Sequence, residues 1–184
     1  MIATFISQPT AGQFDEKSFD LESVWKSTNW CWVKFTTDNG QEWVGAFRGT
    51  PVKSAVANKI KQAAILTDDC FYILDIDKKE VIFLEPQTEY KDLIAVPTND
   101  IFLVATYYQI GLFDKDFNLH LISTEYNMDN ITFKNYDGDI LNIEWDNVPE
   151  CTRVDGYVDT KDWRSVISAP LGVPYSIPSP SANN

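Results

Sequence analysis

The sequence predicts a mainly β protein, an antiparallel meander of hairpins arranged as a sandwich, a barrel or a propeller-like array. Three observations point there. Apolar and polar residues alternate in short runs, Asp, Asn and Gly clusters separate those runs, and one stretch at most has helical spacing. The 184 residues fit one β-rich domain over 1–169, because a chain of this length buries roughly 70% of the surface it exposes when unfolded.

The clearest hairpin joins Trp30-Cys31-Trp32-Val33-Lys34-Phe35 to Trp43-Val44-Gly45-Ala46-Phe47 through Asp38-Asn39-Gly40. Asn39-Gly40 is a preferred pair for a type I′ turn, whose central residues both need positive φ. That turn would set Trp32 opposite Phe47 and Thr36 opposite Trp43 on one face, with Val33 opposite Ala46 and Phe35 opposite Val44 on the other.

A second strand pair reads at Cys70–Ile76 and Val81–Leu84. Its register stays open, since a two-residue loop would oppose Asp75 and Glu80. Further strands read at 93–96, 101–106, 109–113, 119–123, 131–135, 140–145 and 157–159. A short helix is expected near residues 51–64, with Thr50 as N-cap, Pro51 at the first helical position and Val52, Val56 and Ile60 spaced by four.

Turn aspartates recur at Asp38, Asp69, Asp100, Asp129 and Asp159, about thirty residues apart. They suggest a degenerate strand repeat, although Asp is a common turn former in any meander. From 170 to 184 the chain becomes a Pro/Ser-rich tail, expected to be extended or disordered.

A formal net charge of −12 opposes contact with phosphate backbones and anionic lipid, so nucleic acid and membrane are excluded as partners. No window has the apolar length of a membrane span, and the start lacks a basic flank and an apolar signal core; the expectation is a cytoplasmic protein. Cys31, Cys70 and Cys151 are odd in number and far apart, which fits reduced thiols.

The single histidine, His120, reads as a surface or edge residue. No catalytic elbow, zinc-protease motif or phosphate loop is present, and no cofactor is expected. Asp114, Asp116, Asn118, Leu121 and Glu125 imitate a calcium loop, but Leu119 occupies the position that needs glycine, so an Asp-rich hairpin turn is expected instead. Paired carboxylates at Asp68/Asp69, Asp75/Asp77, Asp137/Asp139 and Asp155/Asp159 admit glycosidase chemistry, yet most fall in turns where backbone chemistry already asks for Asp. Trp25, Trp30, Trp32, Trp43 and Phe47 form either a two-sided core or a recognition platform.

The order Trp32-Val33-Lys34-Phe35, Gly40-Gln41-Glu42-Trp43-Val44-Gly45, Tyr72-Ile73-Leu74-Asp75 and Asp137-Gly138-Asp139 resembles a pattern in small bacterial β-rich proteins of unknown function. The resemblance implies a β-rich fold and assigns no activity.

The functional expectation is a non-catalytic binding protein whose acidic surface recognises a basic protein, as an immunity or antitoxin-type inhibitor does. The partner-binding candidates are Asp68, Asp69, Asp75, Asp77, Trp30, Trp32 and Trp43. The alternatives are a carbohydrate-active or other small-molecule enzyme using paired carboxylates, and a structural or assembly protein.

Overall fold

The computed structural model describes residues 1–122 and 127–167. The expected domain end at 169 and the tail 170–184 lie outside the described residues. Among the described residues the strands form four sheets of four. Sheet 1 holds β1 (Ile2–Ile6), β2 (Asp15–Phe19), β3 (Trp30–Thr36) and β4 (Glu42–Arg48), and sheet 2 holds β5 (Pro51–Ala57), β6 (Gln62–Thr67), β7 (Phe71–Asp75) and β8 (Glu80–Glu85). Sheet 3 holds β9 (Asp92–Val96), β10 (Ile101–Ala105), β11 (Ile110–Phe113) and β12 (Leu119–Ile122), and sheet 4 holds β13 (Asp129–Asp137), β14 (Ile140–Asn147), β15 (Thr152–Asp159) and β16 (Arg164–Ile167).

Sheets 2, 3 and 4 are antiparallel meanders in chain order, whereas sheet 1 runs β1-β3-β4-β2 with β2 parallel to β4. The sheets stack face to face, and the first strand of each lies against the first strand of the next, as blades do in a propeller. Each apolar core lies between neighbouring sheets. Cys31, Val33, Phe35 and Phe47 meet Ile65, Tyr72 and Leu74; Leu66, Phe71 and Ile73 meet Leu93, Phe102 and Val104; Leu103 and Ile110 meet Phe133, Ile143 and Trp145. Among the described residues no core cluster joins sheet 4 back to sheet 1.

The outer face of sheet 4 is polar, whereas that of sheet 1 carries Trp32, Val44 and Lys34 and is crossed by chain. On sheet 4, Arg153 bonds Glu144 and Asp146, each at 2.8 Å, and Lys134 reaches Glu144 at 2.5 Å. On sheet 1, β1 and β2 occupy opposite edges, and residues 7–14 between them cross the outer face, with Gln13 and Phe14 lining a hollow shared with Lys34.

Two sequence expectations are corrected. The segment 51–64 is the β5–β6 hairpin, not a helix. Residues four apart share a face of a strand as well as of a helix, and the run Ala63–Leu66 is buried on both faces between sheets 1 and 3, which a pleated strand accomplishes with consecutive apolar residues. The β3–β4 register also differs by one residue. Only Gly40 has positive φ, +79°. Its N–H donates to Thr37 O at 3.0 Å while Thr37 N–H donates to Gln41 O at 2.9 Å, a three-residue turn ending in a bulge. The slip pairs Phe35 with Trp43 and Cys31 with Phe47, so the aromatic residues share the core face, where Phe35 and Trp43 stack at 4.2 Å.

In the second hairpin Asp75 does face Glu80. Lys78 lies 2.8 Å from the Asp75 carboxylate and offsets the repulsion. Burial pushes the Asp75 carboxyl up, but the Lys78 ammonium and nearby backbone N–H groups outweigh it and leave the group below its ordinary range.

Asp92, 5% exposed, joins three sheets: Lys53 of β5 lies 2.6 Å from Oδ1, and Oδ2 accepts the Phe133 N–H of β13 at 2.7 Å. Asp92→Ala should cost roughly 2–3 kcal/mol, because it leaves a buried N–H and a lysine without their acceptor. A loss below ~0.5 kcal/mol in urea unfolding would refute this role. Gly49 is the second sensitive point. Its φ is +105°, and a Cβ there would lie 2.7 Å from both Asp68 Oδ1 and Thr67 Oγ1, whereas one at Gly40 meets nothing within 4 Å. Gly49→Ala should lower the melting temperature several degrees more than Gly40→Ala, and equal losses in calorimetry would contradict the clash.

Candidate functional site

The strand registers place the turns of all four sheets at two ends of the molecule. One end gathers the turns at 37–41, 76–79, 97–100, 114–118, 137–139 and 160–163, and it is rich in aspartate. The other gathers 20–29, 49–50, 68–70, 86–91, 106–109 and 148–151. Asp38, Asp100 and Asp159 therefore lie at one end, with Asp69 and Asp129 at the other. The thirty-residue spacing is not a structural repeat; the sheets begin at Pro51, Asp92 and Asp129.

At the aspartate end, sheets 1 and 2 leave a cleft of about 590 Å³ lined in part by Asp15, Asp38, Glu42, Asp77, Lys61 and Trp43. Each carboxylate there has a cation. Asp77 takes Lys61 at 2.6 Å, Asp38 the α-amino group of Met1 at 2.7 Å, Glu42 takes Lys34 at 2.9 Å, and Asp15 takes Lys79. The side chains of these acids nevertheless stay 40–70% exposed. Trp43 forms part of the wall with 2% exposure, stacked on Phe35 and carrying the Lys79 ammonium 5.6 Å from its ring centroid; its buried Nε1 has no hydrogen-bond partner among the described residues.

The structure divides the sequence-nominated site residues. Asp77 and Trp43 meet in the cleft, with Asp75 beside them in the β7–β8 hairpin. Asp68 and Asp69 lie at the opposite end of sheet 2. Asp68 is exposed and accepts the Thr50 N–H at 2.6 Å, but Asp69 is 1% exposed and, like Trp43, offers no surface to a partner. Trp30 is half-buried under the Arg48 guanidinium, 4.8 Å from its ring centroid, and Trp32 is half-buried on the outer face of sheet 1. No single surface contains all seven.

Around Asp69 the interior is polar but tightly closed. Cys70 Sγ lies 4.0 Å from Asp69 Oδ2, while Asp69 Oδ1 and the Tyr72 hydroxyl are buried with no hydrogen-bond partner among the described residues. Burial and the charge of Asp68 push the Cys31 thiol up to about 12, and burial raises Cys70 and Tyr72 as well. Thiols held protonated in this way are inert nucleophiles.

Asp114 organises the β11–β12 hairpin turn that the sequence expects in place of a calcium loop. Its Oδ1 accepts the N–H groups of Asp116 and Asn118, each at 2.9 Å, and its Oδ2 lies 2.8 Å from His120 Nε2 on the edge strand β12. Glu125, the last position of that loop, lies outside the described residues. Sequence reasoning missed Tyr107 and Tyr108, which are exposed in the β10–β11 turn. The available signal was two aromatic residues at a turn where Gly, Asn or Asp is usual.

His120 and the turn N–H groups hold the Asp114 carboxyl well below the ordinary range. A depressed carboxylate stabilises the fold above its unfolded value, near 4, and loses that contribution as pH falls through the lower folded value. The Asn118 amide resonance should therefore show its carboxylate transition only in acid stronger than about pH 4; a carboxylate midpoint near 4 would contradict the arrangement. In comparisons with known proteins, no protein-family model and no curated protein matches the chain.

Proposed function

We propose that this chain is a non-catalytic binding protein that captures a basic protein, in the manner of an immunity or antitoxin-type inhibitor, through its aspartate end. The carrying observation is topological: the connections of four stacked sheets bring Asp38, Asp77, Asp100, Asp116, Asp137 and Asp139 to one end of a chain of net charge −12. Neighbouring acids at the same end serve turn chemistry, as the bonds of Asp114 and Asp75 to backbone N–H groups illustrate. Their sum is still a negative field that draws cations and speeds encounter. The lysines there, such as Lys61 and Lys115, are themselves exposed and held by single carboxylates, so a partner's basic groups can replace them at little cost.

The cleft with its four carboxylates and Trp43 favours a second reading, an enzyme acting on a small polar substrate. Against it, each carboxylate has a cation and the Trp43 ring, stacked on Phe35 and 2% exposed, offers no open stacking floor. Hydrolysis of aryl glycosides that is abolished by both Asp38→Asn and Asp77→Asn would establish the enzyme.

Capture from native extract at low salt should enrich one basic protein. Its association rate should fall about tenfold between roughly 50 and 500 mM salt as the Debye length shrinks below ~5 Å. Neutralising Asp38, Asp77 and Asp137 together should slow association severalfold at low salt. A partner whose association ignores both salt and these substitutions would refute the reading.

A further inference from the structure

The end opposite the aspartate turns has a different chemistry. Val24, Trp25, Tyr107, Tyr108 and Val148 are between 46% and 67% exposed there. They are brought into one strip by contacts between sheets. The Val24 N–H donates to Pro86 O at 3.0 Å, setting the 20–29 loop against the 86–91 connection, and Lys91 of that connection places its ammonium 4.8 Å from the Tyr107 ring centroid.

Tyr108 stands between two hollows of about 350 Å³ each. One is shared with Thr88, Glu89 and Lys91, the other with Asn127, Asp129 and Val148. Each hollow thus combines a wall of Tyr108 with one carboxylate, and among the described residues neither Glu89 nor Asp129 has an ion-pair partner.

The turn that presents the tyrosines is fixed by other atoms. Thr106 Oγ1 accepts the N–H groups of Tyr108 at 3.2 Å and Gln109 at 3.0 Å, and the Thr106 N–H donates to Gln109 O at 2.9 Å. Neither tyrosine has positive φ or contributes a side-chain bond to the turn. Backbone chemistry does not ask for tyrosine at these positions, and exposing two rings in water has no folding benefit. Rigid tyrosines on a turn are what protein recognition surfaces use.

We infer that Tyr108 anchors a second interaction surface, independent of the aspartate end, that takes two basic side chains of a protein partner, one in each hollow. Each cation would lie against the tyrosine face and pair with Glu89 or Asp129. Lys91 over Tyr107 is the intramolecular counterpart of that contact, and the unpaired carboxylates give the charge complementarity that an apolar or acidic segment would lack.

The test uses the capped peptide Ac-Arg-Ala-Arg-NH2, with Ac-Glu-Ala-Glu-NH2 as control, titrated into the full chain and followed by NMR at the Tyr107 and Tyr108 rings and the Met128 methyl. The arginine peptide should give saturable shifts at those groups, and the glutamate peptide none. Tyr108→Ala should weaken binding about threefold to fivefold, as expected for loss of an exposed cation–π contact, while Tyr108→Phe keeps it. Glu89→Gln and Asp129→Asn should each weaken it about twofold or more. Joint replacement of Asp38 and Asp77 by Asn should leave these shifts in place, which separates this surface from the capture surface proposed above. Absence of saturable shifts, binding indifferent to Tyr108→Ala, or binding that falls only when the aspartate end is neutralised would overturn the assignment.

Discussion

Sheet 2 buries both of its faces, and most of the remaining architecture follows from that requirement. Ile65, Tyr72 and Leu74 point toward sheet 1, and Leu66, Phe71 and Ile73 toward sheet 3, all of them with 0% exposure. A strand pair this apolar on both sides has no stable solution as an isolated sheet, so flanking sheets are obligatory. Sheet 3 repeats the demand with Leu103 on one side and Phe102 and Val104 on the other. Sheets 1 and 4 end the series because their outer faces are polar or crossed by chain, as terminal units of stacked architectures must be.

Apolar stacking alone leaves the sheets free to slide, and polar contacts between the first strands of the sheets fix them. Asp92 ties β9 to β5 and β13, and the Ser54 hydroxyl donates to Ala3 O of β1 at 2.9 Å. These contacts lie in or beside the apolar layers, where a lost partner leaves an uncompensated donor or charge, so they specify alignment more strongly than exposed pairs such as Lys115–Asp116. The Gly49 connection does the same at the junction of sheets 1 and 2, where Asp68 receives the Thr50 N–H and any Cβ at 49 would collide with the β6–β7 turn.

Exposed acidic and aromatic side chains collect at the two ends because the faces are consumed by packing. Strand direction alternates, so alternate connections fall at the same end, and side chains distant in sequence accumulate there. One end gathers aspartates that the turns already favour. The other presents Tyr107 and Tyr108 from a turn that needs neither, which makes the tyrosines the more informative choice. Trp43, the most prominent aromatic residue of the sequence-nominated site, is instead a core residue whose stacking on Phe35 holds the first hairpin.

Local chemistry in the sequence was sufficient for the strand content, for β7 through β15 to within a few residues, for the Asp114 turn and for the edge position of His120. Each depends on alternation, turn residues or side-chain bonds a few positions apart. Periodicity could not separate the β5–β6 hairpin from a helix, because residues four apart share a face in both, and Ile60 proved to lie in the turn. Nor could it choose between two turns of different length after Phe35, although a single residue of slip decides whether Trp43 is buried or displayed. Tertiary structure made those decisions through core volume: the register that places Cys31, Val33, Phe35, Trp43 and Phe47 on one face is the one that fills the layer against sheet 2. It also decided which carboxylates keep company, sending Asp68 and Asp69 to one end and Asp75 and Asp77 to the other, because which connections share an end depends on strand pairing and stacking across the whole chain.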